Sequence, residues 1–196
     1  MKIIHQNLLI DKGIFATSST FSEILVEVKE SIKEVTLNSD NKFIINPVRR
    51  GNGVVPIKND FISKLEADGW KSEVRMSLAA GMNPGPIDII KNTEFGIFAV
   101  EWETGNISSS HRALNKIAVG IIQKQIIGGI LILPIKDFAK YLTDRIGNYE
   151  ELAPYFPMYQ NLSIEEGIIG IIGIEHDGED STVPLIQKGR DGNAKK

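Results

Sequence analysis

The sequence predicts an α/β fold: a mixed central β-sheet flanked by helices, in one domain spanning 1–196. Three observations carry that prediction. Apolar residues recur at helical spacing from Phe21 to Val35 and again from Leu114 to Ile122. Two apolar runs, GGILILPI (128–135) and EGIIGIIGI (166–174), have the length and composition of buried strands. Helical and strand-like segments alternate through the middle of the chain, the pattern of layered α/β domains.

The first helix spans 20–35, with Phe21, Ile24, Leu25, Val28, Ile32 and Val35 inward and Thr20 with Glu23 as a capping box. NKFIINPVRRGNGVVPIK (41–58) reads as a strand, then a loop rich in glycine and proline that carries Arg49, Arg50 and Lys58. A short helix over 57–68 stops at Gly69, and 69–81 begins extended, with Glu73 near its start. A hairpin follows, with strands at 87–91 and 96–104 joined by KNTEFG, whose Glu94 reads as a solvated turn residue.

Residues 108–125 form the second strong helix. Leu114, Ile117, Ala118, Ile121 and Ile122 make its apolar stripe; Arg112, Asn115, Lys116 and Gln123 are the polar positions between them. Asn106 and the serines from Ser108 to Ser110 supply its N-terminal capping chemistry. After the strand at 128–135, KDFAKYLTDR (136–145) reads as a helix with Phe138, Tyr141 and Leu142 inward, and NYEELAPYF adds a further helical turn. From about 176 to 196 the chain is expected to be irregular and mobile.

Composition narrows the function. A length of 196 residues fits one domain with a real core, and 42% hydrophobic with 24% charged residues is the balance of a soluble globular protein. The absence of cysteine excludes disulfides and thiolate metal sites, and three dispersed histidines do not make a zinc site of the usual kind. Neither a signal peptide nor a membrane span is read, so the expected location is the cytoplasm. A net charge of -3 gives no global prompt for a nucleic-acid partner, although local distribution can override the sum.

The chemistry concentrates in GPIDIIKNTEFGIFAVEWETGN (85–106), which places Asp88, Glu101 and Glu103 on otherwise apolar strands. Side chains alternate along a strand, so Ala99, Glu101 and Glu103 share one face while Phe98, Val100 and Trp102 share the other. If the hairpin forms, Asp88 comes to the same end of the sheet. Taken alone, two glutamates alternating on an edge strand read as a solvated face that discourages aggregation. The other reading is a site for a hard divalent cation, because clustered carboxylates repel one another unless a cation or shared proton relieves them. Such a cation suits phosphodiester hydrolysis.

The run EWETGNISSSHRALNK resembles the active-site strand and following helix of the BamHI-type type II restriction endonucleases, within the PD-(D/E)XK nuclease superfamily. The resemblance continues, in the same order, through NGVVPIK (52–58), GPID (85–88), LPIKDFAKYLTDRIGNYEELAPYF and VPLIQKGRDG (183–192), and covers most of the chain from Asn52 onward. It implies a restriction-endonuclease-like fold. Asp88 and Glu101 then stand as metal ligands, with the Trp102 carbonyl as a further one. Glu103 occupies the position where the superfamily usually has lysine, as general base or water-positioning residue. Glu73 is the best match for a further acidic residue of the site; its bland reading is an ordinary surface glutamate.

For DNA the resemblance points to Asn106, Ser108, Arg112, Asp144, Arg145 and Asp191, with Lys58 close to the duplex. These types suit the work: arginine grips guanine, asparagine suits adenine, and aspartate accepts from cytosine. The bland readings are that Asn106 and Ser108 cap a helix and that Asp144 and Arg145 pair locally. The resemblance further implies a homodimer across palindromic double-stranded DNA, with helices at 109–124 and 136–146 as interface candidates. It implies cleavage of GGATCC as G/GATCC to leave 5′ overhangs. It implies Mg2+ as cofactor, with Mn2+ substituting and Ca2+ binding without cleavage, and a cognate DNA methyltransferase in the same host. Two alternatives stay open: a repair or structure-specific nuclease on the same scaffold, and a DNA-binding relative that does not cleave.

Overall fold

The computed structural model describes residues 1–37, 41–75, 85–143 and 145–188. In chain order these build β1 (Lys2–Lys12), α1 (Ser19–Lys33), β2 (Ile44–Ile45), α2 (Val55–Ala67), β3 (Lys71–Val74), β4 (Ile87–Thr93), β5 (Gly96–Trp102), α3 (Ile107–Ile122) and β6 (Gly128–Pro134). The one-turn helices α4 (Lys136–Ala139), α5 (Tyr149–Leu152) and α6 (Phe156–Gln160) then lead to β7 (Gly167–Glu175) and β8 (Gly178–Glu179). None of the described helices is long and apolar enough to cross a membrane.

The main sheet has the order β1-β7-β6-β5-β4-β3. Its centre, β5-β6-β7, is parallel, and antiparallel strands close both sides, so the sheet is mixed. Parallel strands must be covered on both faces. Here β6 and β7 are buried almost throughout, which is why they read as continuous apolar runs. On one face Phe21 of α1 packs on Phe98 with ring centroids 6.1 Å apart, and Phe61 of α2 lies 4.7 Å from Trp102. On the other, α3 comes so close that a Cβ on Gly129 would stand 3.0 Å from the Ile117 side chain.

Three local expectations need correction. The N-cap of α1 is Ser18, whose hydroxyl accepts from Phe21 N at 3.1 Å; Thr20 instead donates to Glu94 in the β4–β5 turn, 2.5 Å away. The strand carrying Glu101 is interior, between β4 and β6, so an edge-strand account of its acids does not apply. The helix expected over 136–145 ends at Ala139. Its next carbonyls are taken by another segment: Arg50 N donates to Lys140 O at 2.9 Å and Asn52 N to Tyr141 O at 3.0 Å. A helix cannot continue once those acceptors face sideways.

The stretch from 176 onward, expected to be mobile, threads back through the molecule as far as Lys188. β8 pairs in parallel with β2, and Asp180 N donates to Ile45 O at 3.0 Å. Fully buried Asn52 joins three segments: Nδ2 donates to Asn46 O (2.8 Å) and Tyr141 O (3.0 Å), while Oδ1 accepts from Ile186 N (3.2 Å). With a typical net value of about 1 kcal/mol per hydrogen bond, Asn52→Ala is expected to cost about 3 kcal/mol in urea unfolding. It should also speed proteolysis within 176–188. A loss under about 1 kcal/mol with unchanged proteolysis would show that these bonds do not hold the segment.

Candidate active site

The acidic residues meet where the sheet divides. Pairing between β4 and β5 ends at Ile89↔Val100, while β4 continues to pair with β3 as far as Val74↔Ile87. In the gap, Asp88 Oδ2 accepts the Trp102 amide at 2.9 Å, so a side chain replaces the missing rung of the ladder. Asp88 Oδ1 lies 2.5 Å from Lys58 Nζ, brought in by the second turn of α2.

Glu101 points toward α3 and is 4% exposed. Its Oε1 lies 2.5 Å from Lys116 Nζ, a buried ion pair. The ammonium directs its hydrogen bond to Pro86 O at 2.7 Å, just before β4. Burial first, and the Asp88 charge second, push the Glu101 carboxyl up to about 7, against the pull of Lys116 and Lys58. The folded value thus exceeds that of an exposed glutamate. The stabilising contribution is therefore present below about 4.5 and is lost as pH rises through about 7.

Glu103 follows β5 directly, its amide donating to Ile132 O at 2.8 Å. It is half-buried, and Oε1 accepts from Gly105 N at 2.6 Å; a Cβ on Gly105 would stand 2.7 Å from that oxygen and would displace the carboxylate. Burial raises the Glu103 carboxyl; the Gly105 amide opposes this, Asp88 adds to it, and Lys58 and Arg112 pull back.

Helix α3 starts at once. Asn106 is its N-cap, accepting from Ser109 N at 3.0 Å, and Ser108 and Arg112 are exposed on its first turns. Exposed Arg145 has a left-handed backbone (φ 62°). Its segment joins the loop after Glu103 through Gly147 N donating to Gly105 O at 2.8 Å. The Trp102 indole N–H is buried without a hydrogen-bond partner.

Asp88, Glu101, Glu103, Trp102, Lys58, Asn106, Ser108 and Arg112 are therefore drawn to one end of the sheet. Glu73 stands across from Asp88 in the β3 row and is exposed, with φ 53°. Asp144 and Asp191 lie outside the described residues. Lys116 is the residue that sequence reading missed. In the sequence it is one polar position among several on its helix, yet it falls three residues after Ala113 and one before Ile117, on the buried side.

Among the described residues no three Asp, Glu or His side chains close on one point as a ready-made metal cage, and lysine ammoniums stand at Asp88 and Glu101. The donor chemistry nevertheless fits a hard divalent cation. The carboxylates supply hard oxygen donors, and the Asp88 charge is among the causes that raise both Glu101 and Glu103.

These causes predict opposite shifts. Asp88→Asn should bring the Glu101 titration, followed by carbon-13 NMR of its carboxyl, below about 7, and Lys116→Met should drive it higher. Equal midpoints in both variants would mean that burial alone sets it.

Residues 1–193 match the family described as restriction endonuclease BamHI. The type II restriction enzyme OkrAI of Oceanobacter kriegii is 47% identical over 195 residues, covering 99% of each chain. The type II restriction enzyme BamHI of Bacillus amyloliquefaciens is 37% identical over 194 residues, covering 94% of this chain and 89% of that one. The solved structure of restriction endonuclease BglII complexed with a DNA 16-mer has a TM-score of 0.63 at 13% identity, covering 90% of this chain and 79% of that one. Free BglII gives 0.56 at 12% identity, covering 90% and 81%. The two structural likenesses show the fold.

Proposed function

We infer the detailed activity from one premise: the chain belongs to the BamHI family of restriction endonucleases, and so is a site-specific deoxyribonuclease that binds DNA. We propose that it acts as a homodimer on the palindrome GGATCC, cutting G/GATCC with Mg2+ and leaving 5′ overhangs. The observation that carries this reading is the gathering of Asp88, Glu101 and Glu103 where β4 and β5 part, directly before a capped helix of 16 residues.

In this proposal Asp88, Glu101 and the Trp102 carbonyl hold the cation. When bound, a divalent cation polarises a phosphodiester and lowers the pKa of water. The chain does the rest. Glu103, its carboxyl raised by burial, accepts a proton from the attacking water or orients it. Lys58 stands at Asp88, where an ammonium can meet a phosphate. Asn106, Ser108 and Arg112 project from the start of α3 to read base edges, and Arg145, Asp144 and Asp191 complete the set that the family resemblance implies. Glu73, across from Asp88 in β3, is kept as a further acidic candidate for the cation. Mn2+ is proposed to substitute and Ca2+ to bind without cleavage.

For the dimer, α3 remains the candidate interface helix; the partner segment at 136–146 supplies only the single turn of α4. The chain is proposed to work as one endonuclease domain in the cytoplasm, with a DNA methyltransferase in the same host protecting GGATCC.

Digestion of a plasmid bearing GGATCC in Mg2+, with the ends sequenced, should give G/GATCC termini. Cutting at unrelated sequences would favour a repair or structure-specific nuclease, and cognate binding without any cutting would favour a non-cleaving relative. Glu103→Ala should lower the cleavage rate by roughly 10²-fold or more while cognate binding persists. Unchanged cleavage would remove Glu103 from the proton-transfer role. Arg112→Ala should cost about 1–3 kcal/mol of discrimination against altered sites in competition binding.

A further inference from the structure

A second charged feature lies on the same end of the sheet. Arg49, Arg50, Lys136, Lys140 and Arg145 line a hollow of about 170 Å³, and none of the described residues lining it is acidic. All five side chains are exposed, in a protein whose net charge is -3. They come from two separate stretches of chain, 49–50 and 136–145, held together by backbone bonds: Arg50 N donates to Lys140 O at 2.9 Å, and Asn52 N to Tyr141 O at 3.0 Å. Two acids among the described residues lie close by. Asp137 lies 3.6 Å from Lys140, and the Glu150 carboxylate accepts the Lys136 amide at 2.8 Å.

Position indicates what the hollow meets. Lys136 opens α4 two residues after β6 ends, and Glu103 follows the end of β5, the parallel neighbour of β6. The bond from Gly147 N to Gly105 O ties the segment after Arg145 to the loop after Glu103. A duplex laid across the carboxylates therefore reaches the hollow with its backbone. Exposed lysines and arginines spread over two segments suit successive phosphates of one strand better than a single enclosed anion, and contacts to phosphates carry no sequence information of their own.

We propose that Arg49, Lys136 and Lys140 on this hollow clamp DNA backbone phosphates flanking the cut sequence, contributing affinity without base specificity, beside Arg145 of the base-reading set. The proposal rests on the DNA-cleaving reading of the neighbouring carboxylates. Repulsion among these cations is relieved when phosphates arrive, and the phosphates release their counterions.

Arg49→Ala, Lys136→Ala and Lys140→Ala test it, with the charge reversal Lys140→Glu and the charge-preserving Lys140→Arg as companions. Fluorescence anisotropy in EDTA, across a salt series, gives the slope of log affinity against log salt. Each alanine variant should reduce the slope by about 0.9 for every phosphate it no longer neutralises, twice that in a dimer. The weakening should be equal on GGATCC and scrambled duplexes and absent on duplexes trimmed close to the hexamer. Lys140→Glu should weaken binding more than Lys140→Ala, and Lys140→Arg should restore the slope. Unchanged slopes in all three alanine variants overturn the clamp, as does an equal effect on trimmed duplexes. Thermal protection by inorganic phosphate that disappears in the variants, with DNA slopes intact, would make the hollow a small-anion site and also overturn it. A wild-type protein without DNA affinity would reject the nuclease reading itself.

Discussion

The structure depends on keeping a carboxylate inside a sheet. Glu101 is 4% exposed, on an interior strand, with the Asp88 charge close enough to raise its proton affinity. Desolvation of a charge is costly unless it is paired. Lys116 supplies the pairing from α3, and its second contact, to Pro86 O, reaches the chain just before Asp88. One ammonium thus connects the helix, the central strand and the approach to its neighbour. The packing of α3 on Gly129 places it for this: a side chain there would push the helix, and Lys116 with it, away from the sheet.

A second organising element is less conspicuous. Asn52 and the residues before it take the carbonyls on which a longer α4 would depend, and the same asparagine receives the amide of Ile186. The loop before α2, the short helix after β6 and the segment after β8 are therefore one connected unit. Its outer side carries the basic hollow, and α2, which starts directly beyond it, carries Lys58 to Asp88. The basic hollow and the helix that carries Lys58 are thus set by the same few backbone bonds.

Much of this was legible in the sequence because it rests on local periodicity and local chemistry. The apolar runs of β6 and β7, the hairpin of β4 and β5, and Asn106 as an N-cap follow from neighbours a few residues away. What was not legible depends on distant pairing. Thr20 has the look of a capping residue because Glu23 stands three positions on, but Ser18 serves the helix and Thr20 reaches Glu94, 74 residues away. KDFAKYLTDR has a helical pattern, but its acceptors are claimed by residues near 50. The three acids were visible; the burial of Glu101 was not, because which strand lies at the centre of a sheet is a property of topology. Lys116 was hidden for the same reason: a lysine on a helix reads as solvated until its partner is found across the fold.

The parting of β4 from β5 at Asp88 has one more consequence. Most clefts are walled by loops, whose shape can drift with their sequence. Here the opening is a seam in the sheet itself, held by a carboxylate on a backbone amide where a main-chain pair would otherwise be. Its width is set by the strands on each side, and they are anchored through the rest of the sheet. The geometry of the seam is then independent of the surface loops. The aspartate proposed to hold the cation is also the bridge between the two strands where their pairing stops.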